Sequence, residues 1–565
     1  MEKKTLYAIL AILVVAVVVG AVVAIFVLAP PAAAKYPLEL WYNNDGHYGD
    51  TEDELATVLK NSIESCGKVA VTLKSETWPV YRQKWAAGQM PLFLLGWYPD
   101  YFDSDDYISP FLSVSGARSL GSFYNNSQVD TWITEEQTTT DPAIRAARFT
   151  SIQNRLATDV PYVPLFSGNA HIAYINGITG LELHPVTFKW FIVDKPGATQ
   201  LNTSTTDDVI SFDPASAYDY FSIEVINQVF DTLLVYEPVN ATLMPGLATE
   251  IPTLANGGIS ADGKNYTYHL RAGATFHDGT PFNASVMKRS LDRAIRLDIA
   301  GSAAFLLYDV GALGRDPSSG NNSTPGVIEV VDPLTIRFHL PRAVSFFNDL
   351  MAFSVAAPVP WLYSQTGEQP STVPNVVGTG PYELTQHVED TLVVLDKYAA
   401  YHTPSLYASK GVPIVPIEDR VVINLRGSAT ALKNDMVAKS VDVIYRTLTP
   451  PDLTELLGRQ TALGITVDVG ASPQIRYLVF NVDTIADARV RQAIAYSADR
   501  AAIDSIVFDG QVEPLYSMIP SNMPYHEPVF QDAYGDHDCP AANALFTLLG
   551  YSLGLDVREL IARDR

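Results

Sequence analysis

The last helix legible in the sequence has no strand to feed, and the first strand has nothing obvious before it to introduce it. Near the end, Asp538 and Pro540 open a helix with Leu545, Leu548 and Leu549 on one face, and Gly550 stops it. In α/β units such a helix passes into a strand within about 2–6 residues. The tail from Ser552 to Arg565 offers no such pattern. At the other end, Leu38-Glu39-Leu40-Trp41-Tyr42 alternates as a half-buried strand. Native termini often lie close together. The two mismatched ends therefore predict one body in which the first strand sits beside the last helix. That is the expectation for a circularly permuted chain.

Between these ends strands and helices alternate, which predicts an α/β architecture. Thr51-Glu52-Asp53-Glu54 has the form of a capping box, followed by a face of Leu55, Val58, Leu59 and Ile63. Val69 to Leu73 and Phe93 to Leu95 read as strands, and Asp141-Pro142 starts a helix that Pro161 closes. Residues 195–206, KPGATQLNTSTT, are small and polar and read as a linker. Strands are then expected over Tyr266–Leu270, Val327–Val331 and Thr335–Leu340, and later helices are capped by Asp487 and Asp499.

A length of 565 residues calls for two or three domains. The 62 acidic against 38 basic residues give a formal charge of −24, which repels phosphate backbones and argues against nucleic acid as a partner. The two cysteines, Cys66 and Cys539, are too few for a stapled scaffold. They are expected as unpaired thiols, with one bridge open to an oxidising compartment. Leu6 to Leu28 is an uncharged run of 23 residues preceded by Lys3 and Lys4. At about 1.5 Å per residue it spans roughly 34 Å, so a membrane anchor with the rest of the chain outside is expected. Ala32-Ala33-Ala34 also suits cleavage of a signal peptide. Sequons at Asn125, Asn202, Asn240, Asn265, Asn283 and Asn321 fit an exported surface.

Five blocks carry a resemblance. Gly246-Leu247-Ala248 with Thr267 to Arg271 comes first, together with Phe276-His277-Asp278-Gly279-Thr280-Pro281-Phe282-Asn283-Ala284. Val377-Gly378-Thr379-Gly380-Pro381-Tyr382 is the second. Phe480-Asn481, Val490 to Ile494 and Asp499-Arg500 make the third. Gly96-Trp97-Tyr98-Pro99-Asp100-Tyr101 and Asp159 to Leu165 are the others. Together they resemble the peptide/nickel-binding family (family 5) of extracellular solute-binding proteins that serve ABC importers. In that family the last two blocks follow the first three, and here they precede them. The resemblance implies a two-lobed fold of the periplasmic-binding-protein type II kind with an extra subdomain, circularly permuted behind one N-terminal transmembrane helix. The expected division is a membrane segment over 1–36, a second lobe from 37–165 and 479–551, and a return segment over 166–194. After the linker, the first lobe comprises 207–245 and 375–478, the extra subdomain 246–374, and a tail 552–565.

The same resemblance implies the function: capture of an oligopeptide-like solute outside the cell, without catalysis or cofactor, by a monomer that delivers to an ABC permease. Nickel chelate or another small solute on the same fold is an alternative, as is a sensor or interaction protein that no longer transports. By resemblance Asp100 meets the ammonium of the ligand, where a carboxylate supplies a charge-assisted hydrogen bond; otherwise it is a solvated loop aspartate. Trp97 walls the pocket or merely packs. Tyr218 and Asp219 are expected as first-lobe contacts, and Asn481 as a contact near the crossover. Gly378 and Gly380 are read as backbone requirements, and His277-Asp278-Gly279 as a turn. Asp103-Ser104-Asp105-Asp106 lacks the glycine and distal glutamate of a calcium loop. Asp536-His537-Asp538-Cys539 has metal-binding residue types, but Asp538 is already used as a cap.

Overall fold

The computed structural model describes residues 35–551 except 46, 49, 50, 185, 187, 238–241 and 403–416. The apolar run Leu6–Leu28 and the tail Ser552–Arg565 lie outside the described residues. Among the described residues no helix is long and apolar enough to cross a membrane.

The expected first strand is β1 (Tyr36–Asn43), which pairs in parallel with β2 (Val69–Glu76) and with β3 (Leu92–Trp97). Between β1 and β2 runs α1 (Glu52–Ser65), which buries Leu55, Val58, Leu59 and Ile63 as its periodicity requires. The capping box does not form. Thr51 accepts no capping bond, and Glu52 turns inward to a buried ion pair with Arg476 at 2.6 Å. Helix α2 (Pro142–Asp159) starts as read, with Asp141 accepting from the Ala143 amide at 2.8 Å.

Two long strands follow different rules. β4 (Tyr162–Ile175) and β15 (Ile465–Phe480) pair antiparallel along most of their length. Their Tyr162–Phe166 and Ile475–Phe480 ends lie in one hydrophobic core, whereas Ile172 of β4 belongs to a second and Val467 of β15 to a third. They are thus the two places where the described chain passes between lobes. The register slips between Ala471 and Ile475, and there Ser167 Oγ donates to the Ser472 carbonyl at 2.6 Å. The core of the second lobe is re-entered at Ile475, a little before the expected 479.

The expected linker is a strand. β5 (Gln200–Thr205) lies inside the large sheet and buries Leu201, Thr203, Ser204 and Thr205. Its two threonines, Thr203 and Thr205, are β-branched and fit a pleated surface; the small polar composition masked this. On one side β5 pairs in parallel with β13 (Arg420–Leu425) and on the other with β14 (Val443–Tyr445). The turn at Pro196-Gly197 precedes it, with Gly197 at φ +81°. The Asn202 sequon therefore lies in a sheet interior, and Asn283 is occupied as the cap of a helix, so neither suits glycosylation.

In the first lobe, α3 (Tyr220–Val229) packs against this sheet, and β6 (Leu234–Tyr236) pairs with β7 (Leu243–Pro245). The region of the extra subdomain carries its own sheet, β8 (Asn265–His269), β10 (Thr335–His339) and β9 (Ile328–Asp332), with α4 (Ala284–Leu297) packed on it. Its buried residues are continuous with the first-lobe core, so it is not packed separately. β11 (Tyr382–Val388) and β12 (Leu392–Lys397) extend the large sheet, and β16 (Glu513–Pro514) adds to β4. The order is β11-β12-β13-β5-β14-β4-β15-β3-β1-β2, one mixed sheet that runs through both lobes.

The chain ends meet. α5 (Ala488–Ser497) packs on α6 (Cys539–Leu548), which Asp538 caps by accepting from the Ala541 amide. Phe546 of α6 shares a core with Leu38 and Leu40 of β1. The Tyr36 ring lies 5.9 Å from Phe546 and 5.4 Å from Tyr551. Lys68 donates to the Asn543 carbonyl at 3.0 Å. Cys66 and Cys539 form a disulfide with Cα atoms 4.8 Å apart across 473 positions. The expectation of two unpaired thiols is corrected: spacing along a sequence carries no information on a contact made by chain closure.

Candidate functional site

A cavity of about 250 Å³ lies between the lobes. It is lined from the second lobe by Gly96 to Asp100, and from the first lobe by residues that include Tyr218, Asp219 and Tyr220.

The second-lobe wall is the segment that leaves β3. Gly96 is required there, because a Cβ would stand 2.9 Å from both Arg476 Cδ and Tyr48 Cε1. Asp106 then shapes the loop. Its Oδ2 accepts from the Asp100 amide at 2.7 Å and from Trp97 Nε1 at 3.3 Å. Asp103 caps the following turn (Ser104–Tyr107) by accepting from the Asp105 amide at 2.8 Å, which gives that acidic stretch a structural role. Trp97 packs edge-on against Phe111 at 5.2 Å and still reaches the cavity.

The first-lobe wall is the start of α3. Asp219 is its cap, with Oδ1 accepting from the Ser222 amide at 2.9 Å. Tyr218 just before it donates to Asp100 Oδ1 at 2.6 Å, from one lobe to the other. Tyr220 meets Tyr98 edge-on at 4.8 Å, and the Arg446 guanidinium lies 3.7 Å from the Tyr220 ring centre. Arg446 is paired with Asp207.

Burial controls the electrostatics. Asp100 is 6% exposed, and desolvation pushes its carboxyl up to about 7 against the opposing Tyr218 hydrogen bond. Asp106 behind it is pushed well above the usual carboxylate range by burial and then by Asp100. Burial and their mutual repulsion disfavour ionising both carboxyls until a cation arrives. At the far wall, burial also raises Asp231 to about 7, where Tyr401 donates to Oδ1 at 3.1 Å. Lys189 is lowered to about 8 by desolvation, offset by Asp231 and Glu224. This arrangement binds donors and cations. It does not assemble a nucleophile with a base.

Four of the five residues expected at the site, Trp97, Asp100, Tyr218 and Asp219, line the cavity. Asn481 does not. Its Oδ1 accepts from the Asp483 and Thr484 amides at 3.1 and 3.2 Å, and its Nδ2 donates to the Gly88 carbonyl at 3.0 Å. It is a turn residue at the end of β15, and the expected ligand contact is corrected. Tyr98, Lys189, Tyr220 and Asp231 were not singled out by sequence. Only Asp231 left a signal, a lone acid within the apolar stretch Val229 to Leu234.

His277 receives the Gly378 amide on Nδ1 at 3.2 Å, and Gly279 takes φ +79°, so this motif is a turn. Among the described residues, Cys66, His537 and Cys539 alone group within metal-ligating reach, and the two sulfurs are consumed by their disulfide.

The glutathione-binding protein GsiB of Escherichia coli (strain K12) is 29% identical over 273 residues, which is 47% of each chain. The chain therefore spans about half the length of the curated relatives it matches. The murein tripeptide binding protein MppA of Escherichia coli aligns in structure with 20% identity, 63% of this chain, 67% of that chain and a TM-score of 0.46. Haemophilus influenzae OppA in complex with RPPGFSPFR aligns with 18% identity, 64% of this chain, 68% of that chain and a TM-score of 0.45. The model of the bacterial extracellular solute-binding proteins, family 5 Middle, matches residues 242–563, more than half of the sequence. That is a family of binding proteins and not of enzymes, and the chain belongs to it.

Proposed function

We propose that the protein captures a small peptide-like solute outside the cell through its free amino group, and passes it to an ABC permease. The observation that carries this reading is Asp100, a buried carboxyl at the lobe junction whose present partner is a neutral hydroxyl of the opposite lobe. An ammonium placed there makes a charge-assisted bond in a dry site, which is stronger than the neutral bond it replaces. The cavity of about 250 Å³ lies just below the roughly 300–1,000 Å³ usual for ligand sites, which favours a solute of few residues. A relative named for binding glutathione agrees with that size class.

The chain order is read as a circular permutation, supported by the packing of Tyr36 on Phe546 and Tyr551. The protein acts as a monomer, held to the membrane by Leu6–Leu28 or released by cleavage after it. Calorimetry with trialanine and its N-acetylated form tests the ligand class. Free trialanine is expected to bind and the acetylated form to bind at least tenfold more weakly; equal binding of the two would remove Asp100 from its assigned role.

A further inference from the structure

We infer that the cleft selects peptide-like solutes carrying a second cationic group, a basic side chain, over neutral and acidic ones. This rests on the peptide reading above and specifies its charge class.

The charged residues of the cavity wall are Asp100, Asp219, Asp231 and Lys189. A zwitterionic ligand would offer one ammonium, which Asp100 takes, and one carboxylate, which would face Lys189, the cation among the described wall residues. The two remaining acids are then in excess. Asp231 is 5% exposed and its Oδ2 holds no hydrogen bond. The nearest basic side chain to that oxygen is His402, with Nε2 at 3.5 Å. Burial lowers His402 to about 4, so it is uncharged at neutral pH. The cations whose fields reach Asp231 are Lys189 and Arg271, and Lys189 is shared with the buried Glu224. Asp219 keeps an unpartnered Oδ2 as well, and its charged neighbour is another acid, Asp207. Behind Asp100 stands Asp106. Asp100 and Asp219 are thus backed by further acids, Asp106 and Asp207.

Buried carboxylate oxygens without donors are costly and are relieved by a ligand that brings them. A metal ion would also bring charge, but among the described residues these acids do not converge within ligating distance of one another. Separated carboxylates fit an extended organic cation with two charged ends.

The test is calorimetry on the whole protein with Ala-Lys-Ala, Ala-Ala-Ala, Ala-Glu-Ala and cadaverine. Ala-Lys-Ala is expected to bind about tenfold tighter than Ala-Ala-Ala, with Ala-Glu-Ala weakest. Equal affinities, or a preference for Ala-Glu-Ala, would overturn the charge preference and leave the peptide reading standing. Binding of cadaverine with no tripeptide bound would do the reverse, and silence from all four would remove both. Asp231→Asn is expected to shrink the ratio of Ala-Lys-Ala to Ala-Ala-Ala affinity by about tenfold. Should that variant fail to fold, the wild-type protein still decides. Comparing two buffers of different ionisation enthalpy at pH 6.5, Ala-Lys-Ala is expected to release more protons than Ala-Ala-Ala. Equal release, or proton uptake, would overturn the inference.

Discussion

Tyr218 and Asp100 join the two lobes through one buried hydrogen bond of 2.6 Å, donated by the phenol to a carboxyl that burial has made hard to ionise. The bond stands where the proposed ligand ammonium would sit. Tyr218 is thus a built-in competitor, and closure without ligand is partly satisfied by it. Phe102 reinforces the junction by donating its amide to the Tyr236 hydroxyl at 3.1 Å.

Tyr218→Phe removes the competitor and keeps the ring. Peptide affinity is expected to rise about three- to tenfold, the scale of one neutral hydrogen bond. The unliganded protein is expected to be more open in small-angle scattering. A weaker-binding variant with unchanged scattering would show that Tyr218 serves the ligand directly.

Stability is expected to fall as pH rises from about 4 to about 7. Asp100, Asp231 and Glu224 all titrate near 7 in the folded protein, against ordinary values of 3.8, 3.8 and 4.5. The folded state therefore holds protons that the unfolded state has already released, and each such group costs about 1.4 kcal/mol per pH unit across that window. Thermal melts between pH 4 and 8 should show the slope. Asp231→Asn should flatten it, and a bound cationic peptide should reverse it.

Reduction of Cys66–Cys539 is expected to destabilise the protein by at least about 4 kcal/mol, the scale for loops of on the order of 100 residues. Denaturant melts with and without reductant, compared with Cys539→Ser, measure it. Alkylation of the unreduced native protein should label neither sulfur.

Joining Tyr551 to Tyr36 by a short flexible linker, and opening the chain at the Pro196-Gly197 turn, should give a folded protein with unchanged ligand affinity. The ring contacts of Tyr36 place the junction, and the turn lies ahead of β5 without breaking it. Loss of the cooperative melt would count against the permuted order.

Gly378→Ala should unfold the first lobe more readily, because the added methyl would run into the Val229 carbonyl. Loss of melting temperature at unchanged affinity per folded molecule would confirm a backbone role; lost affinity at full stability would instead place Gly378 at the ligand.

Apolar periodicity and helix caps announced their elements well. β1, α2 and α6 begin and end close to where the residues said, because those signals are local. The meeting of α6 with β1 was also readable, since each end lacked the neighbour that the other could provide. What failed was decided at long range. β5 is polar in composition yet central in the sheet, because its neighbours β13 and β14 supply the pairing. The capping box at Thr51 does not form, and its neighbour Glu52 instead pairs with Arg476, some four hundred positions away. Asn481 is expected to face the cleft from the end of a strand, and it is spent on its own turn. Lys189 and Asp231 reach the cavity from irregular segments, where no period marks the inward face.

The Cys66–Cys539 bond encloses the entire first lobe within a covalent ring. A protease that cut the backbone once inside that ring would yield two fragments that still travel as one molecule until reduced. Because position 539 is reached so late, the ring can be sealed only after nearly the whole polypeptide has arrived in an oxidising space. The enclosed lobe therefore has time to fold before the surrounding one is complete, and oxidation records the end of assembly.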